Sequence, residues 1–166
     1  MHFPLHPETP AEGISLENLF AGRGVNVAAM YERMKALMDE QGLPYSQRTH
    51  TYNSRLAQEL GKWAETQGGE EIHDALYRAY FVDSRNIGDI DTLVEIAESV
   101  DLPGGSAREV LETRSFEAAV SADWARSREV GVTGVPTFVA GGFAMVGAQE
   151  YATLADFLTR AGAVVS

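Results

Sequence analysis

Residues 131–139 read Gly-Val-Thr-Gly-Val-Pro-Thr-Phe-Val, and a second apolar run follows them after two glycines. The runs 137–140 and 143–146 are rich in residues that favour β-strands. A two-residue Gly-Gly connection between such runs is typical of a tight β-hairpin. The sequence therefore predicts a hairpin over residues 137–146.

Pro136 stands directly before the first of these strands, where proline is unusual because it cannot donate a hydrogen bond to a sheet. One solution is a cis bond between Val135 and Pro136, which costs only about 0.5–1 kcal/mol relative to trans. The resulting turn would leave the backbone N–H and C=O of Val135 facing outward. Exposed groups of that kind can pair with an extended peptide, strand against strand.

The chain before this stretch has the apolar periodicity of helices. Asn26 is expected to cap one helix, whose apolar stripe should lie in the core, and Asn53 or Tyr52 is expected to open another. Residues 2–5 are expected to form a short edge strand, and residues 151–160 an amphipathic final helix. Further expected features are a helix from Ile14 to Phe20, a capping box from Ser106 to Glu109, and two core tryptophans, Trp63 and Trp124. The apolar stripe of the helix that Asn26 caps consists of Val27, Met30, Tyr31, Met34, Leu37 and Met38.

Length and charge limit the function. A chain of 166 residues with 45% hydrophobic residues suits one compact domain, or a small domain with an insertion. Thirteen basic and twenty-four acidic residues give a net charge of −11, which disfavours binding to nucleic acid or to anionic membranes. No apolar stretch approaches the ~20 residues of a membrane span, and the N-terminus shows no signal peptide. We expect neither a nucleic-acid partner nor a membrane partner.

The sequence contains no cysteine, which excludes disulfides, thiolate catalysis and thiolate metal sites within these residues. His50 and His73 have no second ligand at metal-binding spacing, and His2 and His6 lie in an extended segment. We expect no metal site and no cofactor. Paired carboxylates for acid–base chemistry would need a pocket, which the sequence does not reveal.

Residues 131–139 closely resemble the cis-proline loop of thioredoxin-fold proteins, in the form found in DsbA-type thiol–disulfide oxidoreductases. Residues 2–13 resemble the second strand and following loop of the FrnE-like branch of that family. Residues 52–57, Tyr-Asn-Ser-Arg-Leu-Ala, resemble the start of a helix in the family's helical subdomain, and residues 146–149 match the end of its last strand. The resemblance covers essentially the whole chain and implies an α/β fold, a thioredoxin-like sheet remnant with a large helical insertion.

The resemblance also shows which part of the family pattern these 166 residues lack. A complete member begins with a β-strand and a Cys-x-x-Cys at the start of a helix, where the helix N-terminus favours the thiolate. The related glutathione-dependent hydroxychromene-carboxylate isomerases use a serine in the same region, and that position is absent too. No catalytic residue is therefore expected. The substrate-side positions implied by the resemblance are Gly134, Val135 and Pro136, together with Asn53, which would otherwise act as a helix cap.

The resemblance divides the chain into an incomplete thioredoxin-like part, residues 1–13 and 131–166, and an inserted helical subdomain, residues 14–130. The missing strand would be central in the sheet, so its absence predicts an unpaired edge. Direct pairing of the remaining strands, segment exchange, or a homodimer through the exposed sheet edge could repair it.

The leading functional prediction is a DsbA-family disulfide oxidoreductase or isomerase homologue that lacks the redox cysteines and is inactive alone, with a polypeptide or thiol substrate. The alternatives are an isomerase-like, glutathione-dependent protein and a non-catalytic peptide-binding module. The FrnE-like resemblance implies a cytoplasmic location.

Overall fold

A computed structural model describes residues 1–163, and the chain in it divides into two compact units. The helical unit comprises His6–Ser121, and the hairpin unit combines Met1–Leu5 with the chain from Ala122 onward. The family resemblance instead divides the chain between residues 13 and 14 and between residues 130 and 131, whereas these two units divide after Leu5 and after Ser121. In the described residues, no helix is both long and apolar enough to cross a membrane.

The helical unit contains six complete helices and one short β-ribbon within the described residues. A seventh helix, α7, begins in this unit and continues into the other one. In chain order the elements are β1 (Ile14–Ser15), α1 (Leu16–Leu19), α2 (Val27–Glu40), β2 (His50–Thr51), α3 (Arg55–Thr66), α4 (Ile72–Phe81), α5 (Ile90–Glu98), α6 (Gly104–Thr113) and α7 (Glu117–Glu129).

Helices α3 to α6 form the core of the helical unit. Leu60, Ile72, Leu93 and Leu111 are fully buried there, one from each of the four helices. Trp63 belongs to the same cluster, which confirms its expected place in the core. The four-helix arrangement follows from apolar stripes at helical spacing, each of which must be covered by a neighbouring helix.

The start of the helical unit differs from the expected helix over residues 14–20. Ile14 and Ser15 instead form a strand that pairs antiparallel with β2, Ile14 opposite Thr51 and Ser15 opposite His50. Gly13 precedes this strand with φ +85°, and a Cβ atom there would lie 2.5 Å from the Tyr52 ring. Glycine is therefore required at the entrance to the ribbon. The helix that follows, α1, is limited to four residues.

Three local expectations need correction. The apolar stripe of α2 is not core, since no residue of that helix is buried. Trp124 is only half-buried. Ser106 does not cap α6, because the helix begins at Gly104 after Pro103 and places Ser106 inside its first turn. The Asn26 cap is confirmed, since its side chain accepts a hydrogen bond from the Ala29 N–H.

The hairpin unit contains β3 (Thr137–Ala140), β4 (Phe143–Val146) and α8 (Tyr151–Arg160). The strands pair antiparallel, with Thr137 opposite Val146 and Ala140 opposite Phe143. Gly141 and Gly142 have φ values of +55° and +80°, the positive angles that a tight hairpin turn requires. The predicted hairpin and final helix are confirmed.

The expected strand over residues 2–5 is wrong. That segment is irregular, and the His2 N–H donates to a carboxylate oxygen of Asp123 at 2.8 Å. Pro4, which lacks an N–H, lies within the segment, and Pro7 follows it. Among the described residues β3 and β4 therefore pair only with each other.

Candidate functional site

The loop before β3 is held at both of its ends. The Val135–Pro136 peptide bond is cis. The Thr137 hydroxyl donates to the Gly134 carbonyl at 2.6 Å, and the Gly147 N–H donates to the Pro136 carbonyl at 2.8 Å. These two hydrogen bonds fix the loop against the hairpin.

Val135 is the outward residue of this loop. Its side chain is 52% exposed. Within residues 1–163 neither its backbone N–H nor its C=O has a hydrogen-bond partner. The three loop positions proposed from the sequence thus form one surface feature, with an unpaired peptide group at its centre.

The pairing register shows which backbone groups of β3 face outward. In a hairpin with a two-residue turn, the residues next to the turn exchange backbone hydrogen bonds, as does every second cross-strand pair beyond them. Here these hydrogen-bonded pairs are Ala140–Phe143 and Phe138–Met145. The Gly147-to-Pro136 hydrogen bond fits this alternation. Thr137 and Val139 lie at the intervening positions, so their N–H and C=O groups point away from β4. The free edge of β3 thus continues the unpaired backbone of Val135.

The same region carries no charge. Residues 131–149 contain no Asp, Glu, Lys or Arg, in a chain whose net charge is −11. Val139 and Val146 are each about half exposed. Natural proteins commonly protect free sheet edges with charged side chains, prolines or bulges. Here Pro136 stands at one end of β3, and β3 itself, Thr137–Ala140, contains no charged residue and no further proline.

Asn53, the fourth residue proposed from the sequence, lies in the helical unit. Its side-chain amide donates to the carbonyls of Pro7 and Thr9, at 3.1 and 2.9 Å, and its Oδ1 accepts from the Arg55 N–H at 3.0 Å. The side chain thus ties the segment around residue 8 to the first turn of α3. These hydrogen bonds use both donors of its NH₂ group within the fold.

A buried ion cluster beside Asn53 was not predicted from the sequence. The Glu59 side chain is fully buried; Arg55 Nε donates to its Oε1 at 2.9 Å, and Arg114 Nε and Nη2 donate to Oε2 and Oε1 at 2.8 and 2.7 Å. Arg55 also donates to the Glu117 carbonyl and the Ser121 hydroxyl. The only sequence indication was a glutamate within the apolar stripe of α3.

The electrostatics of the cluster follow from burial and hydrogen bonding. Burial alone would raise the pKa of Glu59, but hydrogen bonds from Arg114 and Arg55 outweigh it and lower the pKa below its ordinary value. The pKa of Arg114 is raised by its hydrogen bond to Glu59. The cluster is therefore ionised at neutral pH and joins α3 to the end of α6.

A cavity of about 230 Å³ lies next to this cluster in the helical unit. Its lining residues are Ala11, Asn53, Arg55, Leu56, Gly88 and Arg114. Three of the polar groups around it already have protein partners, as described above. No group of three metal-ligating side chains occurs among the described residues.

The profile of the DsbA-like thioredoxin domain family matches residues 1–159. The chain belongs to this family. The structure is also similar to the crystal structure of a probable DsbA oxidoreductase from Streptomyces coelicolor, with a TM-score of 0.87, 29% identity, and coverage of 96% of this chain and 73% of that one.

One curated relative is an uncharacterized protein of Bacillus subtilis, YwbO. It is 36% identical over 85 residues, which are 51% of this chain and 42% of the relative. The matched part thus spans less than half of that relative's length. The findings establish a DsbA-like thioredoxin fold of the thiol–disulfide oxidoreductase type, mostly helical, as the sequence predicted.

Proposed function

We propose that these residues form the polypeptide-binding part of a DsbA-family thiol–disulfide oxidoreductase. The proposal rests on the free edge of β3, which presents the backbone of Val135, Thr137 and Val139 beside an uncharged, half-exposed surface. An extended polypeptide would pair with this edge as an added strand. The binding site would comprise Gly134, Val135 and Pro136, and the ligand would be held through its backbone and apolar side chains.

The chemistry proposed for an intact relative is thiol–disulfide exchange, in which a thiolate attacks a disulfide sulfur and a second thiolate leaves. These 166 residues contain no cysteine to supply either thiolate. We therefore propose that this polypeptide binds a substrate without exchanging its disulfides. In an insulin-reduction assay with dithiothreitol, the polypeptide should not accelerate precipitation. Acceleration above a no-protein control would contradict this part of the proposal.

Binding at the edge can be tested with an uncharged peptide of high β-propensity that contains no cysteine. Its addition should shift the NMR amide signals of Val135, Thr137 and Val139 more than those of Phe138 and Ala140, whose N–H groups face β4. Shifts confined to the helical unit would place the peptide elsewhere and contradict the proposal.

A matched pair of variants sharpens the test. Val139 and Ala144 are cross-strand partners, and each directs its N–H away from the other strand. Val139→Pro removes a donor from the β3 edge and should weaken peptide binding at least about tenfold. Ala144→Pro removes the equivalent donor from the β4 edge and should leave binding near the wild-type value. Equal losses in both variants would indicate damage to the hairpin.

The β3 edge could instead pair with the same edge of a second copy of this chain, which is the homodimer expected from the sequence. In that case Val139→Pro would also lower the apparent mass in sedimentation, and added peptide would compete with dimer formation. The proposed location is the cytoplasm, on the FrnE-like resemblance.

An isomerase-like function remains the second candidate from the family resemblance, and it requires glutathione to bind near Pro136. Calorimetry with millimolar glutathione tests it directly. Binding that the β3-edge variant Val139→Pro abolishes would favour this candidate over the polypeptide site.

A further inference from the structure

Helix α2 has an amphipathic sequence, but the described chain covers its apolar face only in part. It is the one helix of residues 1–163 with no buried side chain. Met34 and Leu37 are 42% and 48% exposed. A 14-residue helix is marginally stable in water unless its apolar face is packed. The exposed stripe therefore indicates an interaction surface.

The spacing of the stripe matches a helical partner. Val27, Met30, Met34 and Leu37 follow each other at intervals of three, four and three residues, the a and d positions of a heptad repeat. Tyr31, at the side of the stripe, stacks on Tyr45 with ring centroids 5.9 Å apart. This contact holds one side of α2 on its own unit, while Met34 and Leu37 are exposed and Met30 beside them is half-buried.

The charges beside the stripe select the partner and its direction. Arg33 and Glu40 occupy successive g positions on the open side. If a second α2 runs antiparallel with Met34 opposite Leu37, Arg33 of each copy faces Glu40 of the other. In a parallel pair Arg33 would face Met38 instead, and neither charge would be paired. The surface is thus complementary to itself in the antiparallel direction only.

We propose that α2 is a self-association surface, on which a second copy of this chain packs its own α2 antiparallel. Met30, Met34 and Leu37 form the seam, and two Arg33–Glu40 pairs flank it. The exposed Val25 and Leu43 lie just beyond opposite ends of the helix, so the arrangement places Val25 near Leu43 of the other copy. A seam of 14 residues is about 21 Å long, which predicts weak, concentration-dependent association.

Charge reversal gives the sharpest test. Arg33→Glu alone and Glu40→Arg alone each create two like-charge contacts and should weaken dimerisation about tenfold or more. An equimolar mixture of the two variants should form a heterodimer, because every contact across the seam is then between opposite charges. The double variant Arg33→Glu/Glu40→Arg should dimerise like the wild type. Sedimentation velocity and native mass spectrometry across the micromolar range measure all four samples.

Two further variants distinguish the loss of seam contacts from a general loss of folding. Leu37→Glu should abolish association, whereas Ala36→Glu, at an exposed position on the opposite face, should leave it unchanged. A wild-type chain that stays monomeric throughout the series would overturn the proposal. A dimer that is insensitive to charge reversal in α2 would also overturn it. If such a dimer dissociated only in Val139→Pro, the interface would be the β3 edge.

Discussion

Leu111 and Val139 are both aliphatic residues in regular secondary structure, yet Leu111 is fully buried and Val139 is 51% exposed. The contrast holds for the units that contain them. The helical unit buries apolar side chains from four helices in one cluster. In the described part of the hairpin unit, only Ser127 and Phe157 are buried. One unit closes its own core, whereas the described part of the other leaves a strand edge unpaired and apolar side chains exposed.

The largest expected effect comes from truncating the core of the helical unit. Leu111→Ala should lower the free energy of unfolding by about 3–5 kcal/mol, because it removes buried methyl groups and leaves a cavity. Val139→Ala should change it by less than about 0.5 kcal/mol. Urea denaturation followed by circular dichroism measures both. Similar losses in the two variants would mean that Val139 is covered in solution.

The second prediction concerns the buried ion cluster. Glu59→Gln should lower the free energy of unfolding by about 3 kcal/mol, since it removes the buried carboxylate charge that Arg55 and Arg114 share. The control is Glu117→Gln, whose carboxylate is 57% exposed and 3.9 Å from Arg114; it should cost less than about 1 kcal/mol. Equal costs would show that the cluster contributes no more than a surface pair.

Asn53 gives a smaller effect that separates a structural role from a binding role. Asn53→Ala removes the hydrogen bonds to Pro7, Thr9 and Arg55 and should destabilise the helical unit by about 2 kcal/mol. Peptide affinity at a temperature where the variant is fully folded should stay unchanged if its role is structural. A drop in affinity without a loss of stability would instead make Asn53 a substrate-binding residue.

The smallest effect is a pH dependence confined to the helical unit. The pKa of Glu59 is lower in the folded chain than in the unfolded one, so its contribution is complete above the unfolded-state pKa of about 4.3 and disappears as the pH falls through the folded-state pKa. Stability should therefore decrease at acidic pH with a steeper slope than in Glu59→Gln. Parallel pH profiles for the two proteins would contradict the lowered pKa.

The local features of the hairpin were predictable because few conformations satisfy them. Two glycines between β-forming runs restrict the turn, and a proline before a strand restricts the entry loop. Asn26 likewise caps α2 as expected, since its side chain needs only a backbone N–H three residues away. The family followed from the order of several such segments along the chain.

Other features depended on which groups meet in three dimensions. The α2 stripe has the periodicity of a core helix, but periodicity states only that a face is apolar and does not say what covers it. The irregular path of residues 2–5 and the ribbon between β1 and β2 depend on hydrogen bonds to distant residues, such as His2 to Asp123 and Ile14 to Thr51.

The sequence by itself determined the hairpin and the lack of any thiol in these residues, because both follow from residue type and local spacing. The family and the cis bond before β3 were instead what the resemblance to DsbA-type proteins implied. Only the tertiary structure decided that Glu59 is neutralised by two arginines, that Asn53 joins two segments, that the edge of β3 is unpaired within the described residues, and that the stripe of α2 is only partly covered. Burial and partner choice are set by long-range packing, where residues 50 or more positions apart come into contact.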